Sequence, residues 1–176
     1  MPPPHTDGHT NIACAMAHGE IPAPTGERRL VAVFGSPVAL QLVHLAAHVG
    51  YHCVLLDPVG GLDGVTWVRS AAQAEIDAST DVVVTDHDRP ELGDVLTDVL
   101  SWPARWVGVM GSPRHTAPHV AALQARGVTA VDLARVHRPI GLDIGSRSPA
   151  EIAVATVAGL LADRSGRSGG TYQAPG

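Results

Sequence analysis

The sequence predicts a doubly wound α/β domain, a mostly parallel sheet with helices on both faces. Three observations carry the prediction. Short, uninterrupted runs rich in Val, Leu and Ala alternate with helical stretches, the pattern of strands buried on both faces of a parallel sheet. Two of these runs pass through the same Gly-Ser-Pro turn into a helix, at 35–37 and 111–113. The 176 residues are 45% hydrophobic but only 3% aromatic, which suits small aliphatic side chains packing helices onto a sheet in one ordinary domain.

The elements follow in order. Residues 1–27 carry Pro, Gly, His and Thr without periodicity and read as a flexible N-terminal tail. The domain proper is expected over 28–164. LVAVF (30–34) is the first strand and 37–49 the helix after it; HCVLL (52–56) is the second strand and TWV (66–68) a short third. DVVVT (81–85) reads as a buried strand with a helix at about 90–100 behind it. RWVGVM (105–110) leads to a helix over 114–126, and TAVDL (129–133) reads as the last strand. The closing helix starts at Pro149. Ser148 suits its N-cap, Pro149 its first position, and Glu151 completes a Ser-x-x-Glu capping box. Ile152, Val154, Ala155, Val157, Ala158, Leu160 and Leu161 make that helix apolar over most of its surface. Residues 165–176 read as a disordered C-terminal tail.

Charge and cysteine usage exclude several function classes. A net charge of −5 and a pI near 6.0 argue against a nucleic-acid or anionic-membrane partner. No apolar run approaches the roughly 18–20 residues that span a bilayer, and the first ten residues lack the charged and apolar regions of a signal peptide. Cys14 and Cys53 stand without a C-x-x-C motif, which points to a reduced, cytoplasmic setting. His44/His48 and His115/His119 have the i, i+4 spacing of metal-binding pairs, but no third ligand is evident. Serine-nucleophile motifs are absent and neither cysteine has an activating context, so no catalytic residue and no metal ligand is assigned.

Binding residues are sought past the carboxyl ends of the strands, where such sheets take their ligands. Gly35 and Ser36 open the first helix at a place suited to an anion, and plain helix capping explains them equally. Pro37 stands where a G-x-G-x-x-G fingerprint needs its second glycine and removes an amide donor, which weakens NAD(P) binding. Asp57 lies 22 positions after Gly35, the offset of an acid that accepts from an adenosine ribose, although Asp-Pro-Val-Gly-Gly is also an ordinary turn. Asp86, His87 and Asp88 follow the third long strand; His87 suits a polar ligand contact or an acid–base group, and Asp88 a helix N-cap. At the second Gly-Ser-Pro turn, Arg114 and His115 place positive charge in a first helical turn, which the helix dipole disfavours. An anion held by Gly111, Ser112, Arg114 and His115 would remove the conflict; the alternative is an Arg114 that points into water.

Two longer strings carry more specific information. Gly-Val-Met-Gly-Ser (108–112) and Pro-Ile-Gly-Leu-Asp-Ile-Gly (139–145), the latter ahead of Pro-Ala-Glu-Ile-Ala (149–153), resemble the hallmark segments of the xanthine dehydrogenase accessory factor family, of the XdhC/CoxI type. The resemblance covers roughly residues 30–164 and implies a Rossmann-like domain. It implies a non-catalytic accessory protein that binds molybdenum cofactor, or a related phosphate-bearing ligand, in support of a molybdenum hydroxylase client such as xanthine or carbon monoxide dehydrogenase. It also implies that the loop holding Gly141 and Gly145 lines the cleft as well as leading into the helix. Family members carry a further domain ahead of this region, and here a 27-residue tail precedes it. Gly159 replaces a family glutamate, and the His/Asp order after residue 85 differs from the family's, so the resemblance assigns that segment no role. An NAD(P)-binding oxidoreductase and a ligand-free interaction module are the alternatives, and a homodimer is left open.

Overall fold

The structure, a computed structural model, describes residues 15–18, 27–112 and 117–170. Most of the expected N-terminal tail, residues 171–176 of the C-terminal one, and residues 113–116 lie outside the described residues. The chain runs β1 (Arg28–Val33), α1 (Pro37–His48), β2 (Tyr51–Leu56), β3 (Trp67–Val68), β4 (Thr80–Val84) and α2 (Leu92–Leu100). It continues through β5 (Trp106–Val109), α3 (Pro118–Gln124), α4 (Ala130–Leu133), β6 (Val136–His137) and α5 (Pro149–Arg164). The six strands form one sheet in the order β3-β2-β1-β4-β5-β6, and every pairing is parallel. The four long apolar runs of the sequence are thus adjacent parallel strands. The order reverses direction between β1 and β4, which opens a crevice beyond their carboxyl ends.

Why these runs are apolar throughout is visible in β1. Leu30 and Ala32 face a core shared with Leu42, Val43, Val157 and Leu160, so this side is covered by α1 and α5. Val31 and Val33 face the opposite core, with Val95, Leu96, Val99 and Leu123 of α2 and α3. Alternate residues point to opposite faces, and both faces are buried, so the run Leu30–Val33 is apolar throughout, while Arg28 and Arg29 at the start of the strand stay partly exposed. No helix among the described residues is long and apolar enough to cross a membrane.

One expected element is corrected. TAVDL is not the last strand: Ala130–Leu133 form a short helix, and the sheet ends on Val136–His137. Thr129 caps that helix, accepting from the Asp132 amide at 3.1 Å and donating to its carboxylate at 2.8 Å. A Thr-x-x-Asp cap therefore prevails over three apolar residues that look like a strand, and Val131 is left 78% exposed. Among the described residues, the helix expected over 114–126 begins at Pro118.

The N-terminal ends of the strands are closed by a buried ionic cluster. Asp81, fully buried, accepts from Arg105 Nε at 2.6 Å, Arg164 Nε at 2.9 Å and the Tyr51 hydroxyl at 3.0 Å. Arg164 also lies over the Tyr51 ring, 5.2 Å from its centroid. Burial, reinforced by the Asp81 charge, pushes the Tyr51 hydroxyl up to about 12, so it remains a donor to Asp81. Arg105 reaches Asp163 as well, so the last turn of α5 is tied to β2, β4 and the start of β5.

The other end of α5 carries the capping box. Glu151 accepts from the Ser148 and Arg147 amides at 2.9 and 2.8 Å, while the Ser148 hydroxyl accepts from the Glu151 amide at 3.3 Å. Ser148→Ala is expected to cost about 0.5–2 kcal/mol of unfolding free energy, as at other N-caps. Urea denaturation of the two proteins checks this; coincident midpoints would show that the box does not hold the helix.

Candidate functional site

The site lies at the crevice between β1 and β4, and its first wall is the turn after β1. Phe34 sits in the left-handed region at φ 70°, rare for an aromatic residue, with its side chain fully buried. Ser36 caps α1 by accepting from the Ala39 amide at 3.0 Å. Its hydroxyl also donates to Thr85 Oγ1 at 2.9 Å, and Thr85 donates to the Phe34 carbonyl at 2.8 Å. The turn is thereby bolted to the end of β4, across the point where the strand order reverses.

Asp57 holds the same turn from the other side. Its Oδ2 accepts from the Gly35 amide at 2.8 Å and its Oδ1 from the Val59 amide at 2.9 Å. Arg89 donates to both oxygens, from Nη1 at 3.2 Å and Nη2 at 3.3 Å, and its guanidinium stacks 4.9 Å from the Phe34 ring centroid. Burial alone would raise the Asp57 carboxyl. The Gly35 and Val59 amides and the Arg89 guanidinium outweigh it and hold the group below the ordinary carboxylate value.

Beyond β4 and β5 a cleft of about 730 Å³ opens, lined by Thr85, His87, Met110, Gly111, Ser112 and the loop 139–143, with Ile152, Ala155 and Thr156 of α5 behind it. The loop enters through Gly141, whose φ of 82° and close approach to α5 both require glycine. A Cβ there would stand 3.1–3.2 Å from the Ala155 and Thr156 backbone, and a Cβ on Gly159 would stand 3.1 Å from Gly141 Cα. The loop can therefore lie directly on the helix, where the Leu142 amide donates to the Ala155 carbonyl at 3.0 Å. Gly145 is left-handed at φ 70° with open space around it, so its need for glycine is conformational.

One cation, Arg138, stands beside the Gly111–Ser112 turn. Arg138 Nη2 donates to the Ser112 carbonyl at 3.1 Å, and a Cβ on Gly111 would stand 2.6 Å from that nitrogen. His119, in the first turn of α3, is 4% exposed, and its Nδ1 has no hydrogen-bond partner among the described residues. Burial first, then the Arg138 and His87 charges, lower its pKa below the ordinary 6.5, so it stays neutral in the free protein.

The structure thus distributes the residues singled out in the sequence. His87, Gly111, Ser112 and Gly141 line one cleft. Ser36 touches its edge through Thr85. Gly35 and Asp57 bond to each other beside it. Gly145 lies outside the lining, and Arg114 and His115 lie outside the described residues. His48 turns its Nδ1 to the His44 carbonyl at 2.7 Å. Sequence reasoning missed Thr85, Arg89 and Arg138 and noted His119 only as half of a metal pair. Of these, only Arg138 had a sequence signal, its position directly before the Pro-Ile-Gly-Leu-Asp-Ile-Gly string.

Comparison with known proteins adds the family. The sequence pattern described as the XdhC Rossmann domain matches residues 30–160. YqeB of Escherichia coli strain K12, described as an uncharacterized protein, is 29% identical over 94 residues, which is 53% of this chain and 17% of the relative. A crystal structure described as a xanthine dehydrogenase from Bacillus halodurans matches with a TM-score of 0.63 at 24% identity, over 79% of this chain and 45% of that one. That likeness establishes the fold. The chain spans less than half the length of either protein.

The His119 environment gives a pH prediction. The unfolded chain protonates this histidine near 6.5, whereas the folded protein resists protonation to lower pH. The associated stability is complete above about pH 6.5 and declines as pH falls below it. His119→Gln should therefore flatten the decline of Tm on acidification relative to the native chain. Parallel slopes in thermal melts across that range would contradict the assignment.

Proposed function

Since the chain belongs to the XdhC Rossmann-domain family, we propose that it is a non-catalytic accessory protein that binds molybdenum cofactor, or a related phosphate-bearing ligand, in support of a molybdenum hydroxylase of the xanthine dehydrogenase type. One observation carries the ligand reading. The two segments that resemble the family are separated along the chain, yet residues 110–112 of one and 139–143 of the other line the same cleft at the crevice of the sheet. This is where an open α/β sheet takes its ligands.

The donors present suit a phosphoryl group. Ser112 and His87 line the cleft, and Arg138 lies against its Gly111–Ser112 turn. A guanidinium and a hydroxyl are ordinary partners for phosphate oxygens, and a neutral His119 nearby adds charge on protonation. Asp143 is the carboxylate in the lining and suits the donor groups of a heterocycle better than an anion. When bound, the cofactor brings its own metal chemistry; the protein binds and orients it.

An NAD(P)-dependent oxidoreductase is the second reading. Pro37 has no amide to offer at the first helical position, and the Gly35 amide points to Asp57 rather than outward.

Titration of inorganic phosphate and a molybdopterin-type ligand into the native chain and Arg114→Ala tests the proposal. Loss of Arg114 is expected to weaken binding by about 1.5–3 kcal/mol, the range for a charge-assisted hydrogen bond. Pterin fluorescence of material released from the purified protein gives an independent reading. Absence of both pterin and saturable phosphate binding would overturn the proposal.

A further inference from the structure

The proposed cleft lies over the β4–β5 half of the crevice and reaches the helix after β1 at Val38. In a doubly wound sheet the other half, over the ends of β1 and β2, receives an adenosine ribose whose hydroxyls donate to an acid at the end of β2. Asp57 stands in that place, yet its oxygens already serve protein donors. The Gly35 and Val59 amides and two Arg89 nitrogens lie within 3.3 Å, and the residue is 3% exposed. A carboxylate has about four acceptor positions, so none is left for a ribose diol.

Arg89 offers nothing in exchange. Its guanidinium serves Asp57 on one side and Glu91 on the other, at 3.2 Å from Nε, and stacks on Phe34. One cation faces two carboxylates, so Arg89 brings no unbalanced positive charge to a ribose 2′-phosphate. Three nearby backbone positions are likewise unavailable. The Ala39 amide serves Ser36, the Gly35 amide serves Asp57, and Pro37 has none.

We infer that Arg89 is a specificity-determining residue that bars an adenosine ribose, with or without a 2′-phosphate, from the β1–β2 half and confines the ligand to the β4–β5 half. The barrier stands on the geometry around Asp57; only the placement of the ligand in the other half rests on the proposed phosphoryl cleft. The inference predicts that removing the guanidinium exposes an acceptor for ribose hydroxyls.

The test uses the full chain and reads NADH and NADPH binding by nicotinamide fluorescence, with inorganic phosphate titrated separately. The native protein is expected to show no saturable binding of either nucleotide through the millimolar range. Arg89→Met keeps an apolar stem over Phe34 and frees one acceptor position on each Asp57 oxygen, and it should bind NADH at least about tenfold more tightly, the worth of one charge-assisted hydrogen bond. Adding Asp57→Asn to that variant should abolish the gain. Should Arg89→Met fail to fold, Arg89→Lys, which cannot bridge both oxygens, should show a smaller gain in the same direction. Unchanged NADH affinity in a folded Arg89 variant would overturn the inference, as would tight NADH binding by the native chain. A gain in NADH binding with no phosphate binding by any of the proteins would leave the barrier standing and overturn the phosphoryl-cleft reading instead.

Discussion

The carboxylate of Asp57 joins three segments that the chain keeps apart: the turn after β1, the turn after β2 and the loop after β4. Each contributes a donor to the same two oxygens, so the position of any one of them constrains the others. The left-handed Phe34 is held within this arrangement. Its ring lies beneath the arginine that Asp57 orients, and its carbonyl accepts from the threonine that β4 supplies. A strained backbone conformation persists when its surroundings over-determine it, and here they do so from three directions. The shape of the crevice mouth, and hence what it admits, follows from this one carboxylate.

A second buried aspartate has the same chemistry at the opposite pole, with a different consequence. Asp81 gathers Arg105, Arg164 and Tyr51 at the N-terminal ends of the strands. Removing one member of such a cluster would leave charge partly buried and uncompensated, which is far more costly than the net worth of the intact group. Because Arg164 lies in the last turn of α5, the cluster fixes that end of the helix. Ser148 and Glu151 fix the start. Between these anchors α5 presents Ala155 and Gly159 to the 139–142 loop, so the back wall of the cleft is set from both ends of the helix.

Small residues decide how close that wall comes. Gly141 and Gly159 meet without side chains, and a Cβ at position 159 would stand 3.1 Å from Gly141 Cα and press on the loop. In this chain the loop therefore rests on helix backbone instead of on a side chain. The cleft takes its form from loop and helix together, and its polar groups come both from the strand ends (Thr85, His87, Ser112) and from the loop and helix (Asp143, Ser146, Thr156).

Much of this was legible in the residues. Continuous apolar runs identified β1, β2, β4 and β5, because burial on both faces leaves no polar position to blur the pattern. The α5 capping box was legible because its partners are three residues apart. The strings at 108–112 and 139–145 carried the family. Local competition produced the one misread element, where a Thr-x-x-Asp cap made TAVDL helical although its apolar content suggested a strand. Long-range pairing was invisible for a different reason. Asp57 looked like a ribose acceptor because its offset from Gly35 is right, and nothing near it in sequence announces Arg89, 32 residues later. Likewise His119 gave no sign that burial beside Arg138 would leave a ring nitrogen without a partner among the described residues. The sequence by itself determined the fold class, the strand runs and the segments that meet at the cleft, because periodicity and capping are short-range effects. Which polar groups remain available there was decided only by the tertiary structure, since a side chain's hydrogen-bonding capacity depends on every donor that folding brings within reach of it.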